Sequence, residues 1–314
     1  MLLIDGSSNF PNDVPRPVVA LGNFDGVHVG HRRVIERAME EANISRGTSV
    51  VYTFDPHPVR ILAPAECPPL IQTKEQKLSA IEALGANICV VEPFTARFAS
   101  MDAAEFLNEV VVARLHAAAI VAGYDFTFGL HRLGDMETIT EFCREKGIGA
   151  FAVEARFSGE TLISSTNIRR LVEGGNIREA AALLGRPYRI TGRVVAGRAL
   201  GRELGARTAN IESQNELIPK EGVYLTQTII PSGASEPAVH PSITSIGDNP
   251  TFRDAAFTIE THIIGADVDL MGIEIEVDFI DRMRDQKAFD SAQALGLQIR
   301  LDIELARKMR AKVK

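Results

Sequence analysis

An apolar run, Val18–Leu21, gives way at Gly22 to ten residues, GNFDGVHVGH, and these lead into HRRVIERAMEEA. In that last stretch Val34, Ile35, Ala38, Met39 and Ala42 fall on one helical face. A buried strand, a glycine-bearing loop and a helix in this order restrict the segment to a βα unit of a parallel sheet. The first turn of such a helix points backbone N–H groups at the loop and so favours a bound anion. His28 and His31 lie where the helix begins, and imidazoles there can donate to phosphate oxygens and stabilise charge developing on a phosphoryl group. The candidate phosphate-binding set is therefore Gly22, Asn23, Phe24, Asp25 and Gly30 with the two histidines. A tight turn with no ligand would use the same glycines, and it is the flanking strand and helix that favour binding. A zinc site is the weaker alternative, because no cysteine pair lies near the histidines and Cys67, Cys89 and Cys143 are dispersed.

Composition narrows the class. A chain of 314 residues with 45% apolar side chains can build two cores. No stretch approaches the length of a transmembrane span, and the N-terminus lacks the order of a signal peptide. Three unpatterned cysteines point to a reducing compartment, so the chain reads as a soluble cytoplasmic protein. With 34 basic and 41 acidic residues the net charge is −7, which argues against an extended nucleic-acid footprint. The one basic cluster, Arg307 to Lys314, suits the C-terminal end of a helix.

Two halves differ in period. Up to about residue 186, strand candidates at Val18–Leu21, Ser49–Phe54, Ile88–Val91, Ala119–Ala122 and Ala150–Glu154 alternate with helical patterns. The helical patterns between them lie at Lys74–Leu84, Ala103–Leu115 and Met136–Lys146. That order predicts an α/β, Rossmann-like domain with a parallel sheet covered on both faces, and ligands beyond the carboxyl ends of its strands. After Pro187 the pattern alternates, as in Phe257–Ile264 and Gly272–Phe279, and predicts an antiparallel β-barrel with a closing helix near Ser291–Ala311. The boundary is placed at Gly185–Pro187, giving domains 1–186 and 187–314.

Further motifs follow in order: FDPHP (Phe54–Pro58), GYDFTFG (Gly123–Gly129), ISSTNIRRL (Ile163–Leu171), LLGRPY (Leu183–Tyr188), TAN (Thr208–Asn210), PKEGVY (Pro219–Tyr224), IGDNPTF (Ile246–Phe252) and ETHII (Glu260–Ile264). Singly each is weak. His28, Gly30 and His31 resemble the HxGH signature of nucleotidyltransferases, and the ordered set resembles, over nearly the whole chain, the bacterial bifunctional riboflavin kinase/FMN adenylyltransferases, also called FAD synthetases.

The resemblance implies that the first domain adenylylates FMN with ATP, giving FAD and pyrophosphate, and that the second phosphorylates riboflavin to FMN. It places ATP over Gly22–His31, with Ser164, Ser165, Thr166 and Arg169 reaching the same phosphates; alone, that segment reads as a helix cap beside solvated arginines. Asp55, His57, Asp125, Phe126 and Phe128 are implied to line the flavin, although turn-forming and core roles suit each of them as well. In the second domain Thr208 and Asn210, two apart on an extended chain, are implied to hold Mg²⁺, and Gly197, Gly201 and Gly205 to approach phosphate. Glu260 is implied to be the general base for the ribityl 5′-hydroxyl, where periodicity alone suggests a solvated sheet face. Partners are expected to be riboflavin, FMN and ATP, with neither nucleic acid nor membrane, and a weak homo-oligomer is left open.

The chain departs from the family pattern at Arg207 (usually proline), Met271 (usually tyrosine) and Gln286 (commonly glutamate). These departures raise the alternative of an FMN adenylyltransferase with a weakened or inactive kinase domain. A flavin-binding regulator without chemistry would not need His28, His31, Ser164, Arg169 and Glu260 together.

Overall fold

The computed structural model describes residues 1–196, 208–232, 235–248, 257–266 and 268–313. Gly197, Gly201, Gly205 and Arg207 lie outside the described residues, as do Asn249 to Phe252 of IGDNPTF. The chain forms two compact units, Met1–Ser165 and Thr166–Lys314.

The first unit is built on six parallel strands: β1 (Leu2–Asp5), β2 (Pro17–Leu21), β3 (Thr48–Asp55), β4 (Ile88–Pro93), β5 (Ala119–Gly123) and β6 (Gly149–Val153). They are ordered β1-β4-β3-β2-β5-β6. Alternate residues of one strand enter opposite cores, as buried strands of a two-sided sheet require. Val18 and Ala20 pack with Val34, Ile35, Ala38 and Ala42 of α1 (Val29–Ser45) and with Ile81 of α2 (Lys74–Ala83). Val19 and Leu21 face Phe106, Leu107, Val110 and Val111 of α3 (Phe106–Arg114), with Ile139 of α4 (Met136–Lys146) in the same cluster.

Five of the six strands coincide with the predicted runs. The sixth, β1, is an edge strand paired with β4; its apolar run, Met1–Ile4, is short, with Leu2 and Leu3 exposed and Ile4 buried, and the sequence pattern does not single it out. The predicted helix at Ala103–Leu115 becomes a short α-turn followed by the π-helical α3, where Leu115 N–H bonds Val110 C=O at 2.9 Å. Phe106, Leu107, Val110 and Val111 all lie in the core cluster on the sheet. A small hairpin, β7 (Phe157–Ser158) with β8 (Thr161–Leu162), follows the sheet.

The second unit opens with α5 (Ser165–Glu173) and α6 (Ile177–Leu184), which ends at Gly185 in the left-handed conformation. Ile177, Ala180, Leu183 and Leu184 of α6 are buried, and the helix packs on the barrel, so the compact division precedes the change of sequence pattern near Pro187. Six antiparallel strands close a barrel in the order β10-β13-β12-β11-β14-β9. They are β9 (Tyr188–Val195), β10 (Ala209–Ser213), β11 (Gly222–Ser232), β12 (Ser235–Gly247), β13 (Thr258–Ile263) and β14 (Glu274–Arg284). The closing helix α7 (Ala292–Val313) sets Ala306 and Ile303 against Val223, Leu225 and Ile243 on the outer face.

The opposite, inward positions of β11, β12 and β13 carry hydroxyls as well as hydrocarbon. Thr228, Ser242, Thr226, Thr244 and Thr261 are fully buried and bond in succession at 2.8–2.9 Å across three strands. Each buried hydroxyl thus meets a partner, as a dry interior demands.

Candidate functional site

Three of the motif loops leave the carboxyl ends of β3, β2 and β5, which are neighbours in the sheet. The chain runs outward from β2 through β3 to β4 and then crosses to β5 on the other side of β2. That reversal opens a crevice beside the Gly22–His31 loop, where ligands of such sheets collect.

The loop itself is fastened from several sides. Thr53 Oγ1 donates to Asn23 C=O at 3.0 Å, Ile71 N–H reaches the Asp25 carboxylate at 3.1 Å, and Ser165 Oγ donates to Asp25 C=O at 2.9 Å. Phe24 is buried with φ 51°, a left-handed conformation that the surrounding fold must impose on a bulky residue. Asp25 and Ser165, both expected at phosphate, thus also brace the loop from beneath.

His28 is the N-cap of α1, and its Nδ1 accepts the backbone N–H of His31 at 3.2 Å. An accepting Nδ1 places the ring proton on Nε2, so His28 presents that nitrogen as a donor. The two imidazoles stack with centroids 3.6 Å apart, and the Phe24 ring stands edge-on to His31 at 5.4 Å. Gly30 permits the stack, since a Cβ there would come within 3.1 Å of the His28 ring. Among the described residues no group of three His, Cys, Asp or Glu side chains is placed to hold a metal ion.

The other residues expected at adenylyl transfer divide by placement. Asp55 pairs with Lys74 at 2.9 Å, and His57 Nδ1 accepts Val59 N–H at 3.3 Å, capping the short helix Pro58–Leu62. Tyr124 and Asp125 are exposed beyond β5 and Phe126 is half-buried. Phe128 sits in the core, 5.4 Å from Phe106 and stacked on Phe126 at 5.7 Å. Arg169 is buried on α5 with Ile168 and Val172, and Ser164 and Thr166 flank the helix start.

Lys77 is not among the residues that the sequence motifs single out. Its ammonium donates to Phe54 C=O at 3.0 Å and to Thr53 Oγ1 at 3.4 Å, at the carboxyl end of β3. A readable signal existed: Lys77 lies one turn before the fully buried Ile81, on the core-facing side of α2.

In the barrel, Asn210, Glu260 and Ser245 are cross-strand neighbours on β10, β13 and β12. Thr208 Oγ1 and Thr258 Oγ1 each donate to the Glu260 carboxylate at 3.4 Å. Gln286 donates from Nε2 to Ser245 Oγ at 2.7 Å and to Ile246 C=O at 3.1 Å, so the amide is built into the strand beside Glu260. Met271 is exposed on the turn before β14.

Comparison with known proteins follows the same two-part plan. The FAD synthetase family matches residues 11–167 and the riboflavin kinase family residues 184–310. The bifunctional riboflavin kinase/FMN adenylyltransferase of Escherichia coli (strain K12) is 32% identical over 310 residues, covering 98% of this chain and 97% of the relative. That of Bacillus subtilis (strain 168) is 34% identical over 292 residues, covering 91% and 90%. The crystal structure of a macrolide-efflux protein from Streptococcus pneumoniae superposes with a TM-score of 0.85 at 29% identity, covering 98% of this chain and 99% of that one. Among the described residues no helix is long and apolar enough to cross a membrane. The chain belongs to the bifunctional riboflavin kinase/FMN adenylyltransferase family: it phosphorylates riboflavin to FMN with ATP and adenylylates FMN with ATP to give FAD and pyrophosphate.

Proposed function

We propose that adenylyl transfer is carried by the loop from Gly22 to His31 and phosphoryl transfer by the face around Glu260. The observation that carries the first assignment is the N-cap bond from His31 N–H to His28 Nδ1, which commits Nε2 of His28 to donation. The FMN phosphate attacks the α-phosphorus of ATP, and pyrophosphate leaves. His28 and His31, with the first turn of α1, stabilise the negative charge that accumulates on the transferring and departing phosphoryl oxygens. Ser164 and Ser165 add hydroxyl donors to the same phosphates, with Thr166 and Arg169 assigned to adenylyl transfer on the sequence resemblance alone. Asp55, His57, Asp125 and Phe126 border the flavin, and Phe128 supports Phe126 from the core. No covalent nucleophile is needed, because positioning and charge stabilisation suffice for in-line transfer at phosphorus.

In the barrel, Glu260 takes the proton of the ribityl 5′-hydroxyl as that oxygen attacks the γ-phosphorus of ATP, and ADP leaves. The hydroxyl protons of Thr208 and Thr258 point at Glu260 and orient its carboxylate. A Thr208 that donates its proton to Glu260 keeps its oxygen lone pairs for a cation. Together with the Asn210 amide these are hard oxygen donors, the type that fits magnesium. Bound there, magnesium would neutralise triphosphate charge. Gly197, Gly201 and Gly205 complete this assignment on the sequence side, with adenylyl transfer placed in residues 1–186 and phosphorylation in 187–314. The reactants are small and soluble, and we assign the enzyme to the cytoplasm, with no larger partner required.

The test is a pair of reciprocal variants assayed by chromatography of FMN and FAD. His28→Ala with His31→Ala should cut FAD formation from FMN by about 10³-fold and leave FMN formation from riboflavin intact. Glu260→Gln should do the reverse. Adenylylation at the wild-type rate in the first variant, or full kinase activity in the second, would remove the respective assignment.

A further inference from the structure

Lys77 is half-buried, and it stands beside two loops that the proposed mechanism uses. Its Nζ donates to Phe54 C=O at 3.0 Å, the last carbonyl before Asp55 and the His57 turn, and to Thr53 Oγ1 at 3.4 Å. Thr53 Oγ1 passes its own proton to Asn23 C=O at 3.0 Å, inside the Gly22–His31 loop. One cation therefore joins the ends of two adjacent strands, β3 and β2, just where each releases a loop into the crevice. The helix that delivers it is fixed by a capping box between Thr73 and Gln76. A lysine held at such a place by desolvated contacts has no part in a solvated helix face, and an apolar residue would fill the volume at less desolvation cost.

We propose that Lys77 is a positioning residue for adenylyl transfer, setting the spacing between the Phe54–Pro58 and Gly22–His31 loops and fixing a positive charge at their junction. This rests on the reading of Gly22–His31 as the ATP loop. The groups around the ammonium are Asp25 and Asp55, which favour its charge, Lys74, which opposes it, and the Cys89 thiol behind it. Burial outweighs the carboxylates and holds its pKa below that of a free lysine. The cation, and with it the tie, is therefore lost at a lower pH than for a surface lysine.

The experiment uses the full chain, whose riboflavin phosphorylation serves as internal control. Lys77→Met should lower kcat/KM for FMN adenylylation by about 10²-fold, the usual effect of misplacing a reacting group by about 1 Å, and leave riboflavin phosphorylation unchanged. Wild-type adenylylation should fall on an alkaline limb, and Lys77→Arg, which stays charged, should retain activity and shift that limb upward. Thr53→Val, removing the hydroxyl between Lys77 and Asn23, should show a smaller loss of the same kind. Lys77→Met within about threefold of wild type, or an alkaline limb unmoved in Lys77→Arg, overturns the proposal. The double variant at His28 and His31 separates the two levels. If it stays active the ATP-loop reading fails, whereas loss there beside an unaffected Lys77→Met removes Lys77 alone.

Discussion

A Cβ on Gly22 would stand 2.8 Å from the ring of Phe24 two residues later. The ring is buried, and its backbone is already held at positive φ, so it has nowhere to withdraw. Gly22→Ala is expected to destabilise the first unit by about 1–3 kcal/mol through overpacking. Because Phe24 also meets His31, FAD formation from FMN should fall while FMN formation from riboflavin persists. Thermal unfolding together with the two chromatographic assays checks both halves of this expectation.

Arg284 and Asp302 make a bidentate pair between β14 and the closing helix, with the shortest contact at 2.6 Å and Asp302 almost wholly buried. Removing one partner strands the other charge, so Asp302→Leu alone should cost about 3–5 kcal/mol. The double replacement Arg284→Met with Asp302→Leu should cost much less. A double-mutant cycle on urea unfolding, followed through loss of riboflavin phosphorylation, measures the difference.

Tyr52 donates to Glu92 at 2.9 Å in the interior of the first unit, and Ser7 N–H donates to the same carboxylate oxygen at 2.7 Å. Burial, reinforced by the Glu92 charge, holds the Tyr52 phenol well above the ordinary value of 10. In the unfolded chain the phenol ionises near pH 10, while in the native protein it keeps its proton. The unfolded state then binds fewer protons, so stability is complete below about pH 9 and declines as pH rises through 10. The urea midpoint should fall between pH 9 and 10.5 and fall less steeply in Tyr52→Phe, where Tyr224, also raised by burial, still contributes.

Burial pushes the Cys89 thiol up to about 12 and the Cys143 thiol to about 11. Neither offers thiolate near neutrality, whereas Cys67 is part-exposed. A maleimide at pH 7.5 should label Cys67 in the native protein and all three thiols after denaturation, as counted by intact mass. Labelling of Cys89 before unfolding would contradict the packing of β4.

The parts of the fold that the sequence revealed are those in which the side chain carries the signal. Val18–Leu21 announces a two-sided strand because both of its faces are apolar, and the Phe257–Ile264 alternation announces a strand with one buried face. β1 was missed because its apolar run, Met1–Ile4, is too short for periodicity to tell a strand from any other buried segment, and its pairing with β4 is a main-chain contact. The π-turn of α3 was hidden for the converse reason, since the same apolar residues suit either helix and only packing against the sheet selects the wider turn. At the candidate site, the placement of His28 and His31 at the start of α1 was legible from their spacing. The further service of Asp25 and Ser165 as braces was not, because it depends on Ile71 and on a contact 140 residues apart in sequence. Lys77 escaped because a lysine on a helix is usually solvated, and its partner is a main-chain carbonyl.

The buried hydroxyls of Thr228, Ser242, Thr226, Thr244 and Thr261 also bear on how this barrel can vary. Each of them completes a neighbour's hydrogen bond, so a valine at any of the four threonines, or an alanine at Ser242, would orphan a donor or acceptor in a dry interior. Drift at these positions is therefore collective: a descendant keeps the row or exchanges several members at once. The row also marks one alignment of β11, β12 and β13, since sliding by a single residue would turn the hydroxyls outward and bring Val223, Leu225 and Ile243 inside.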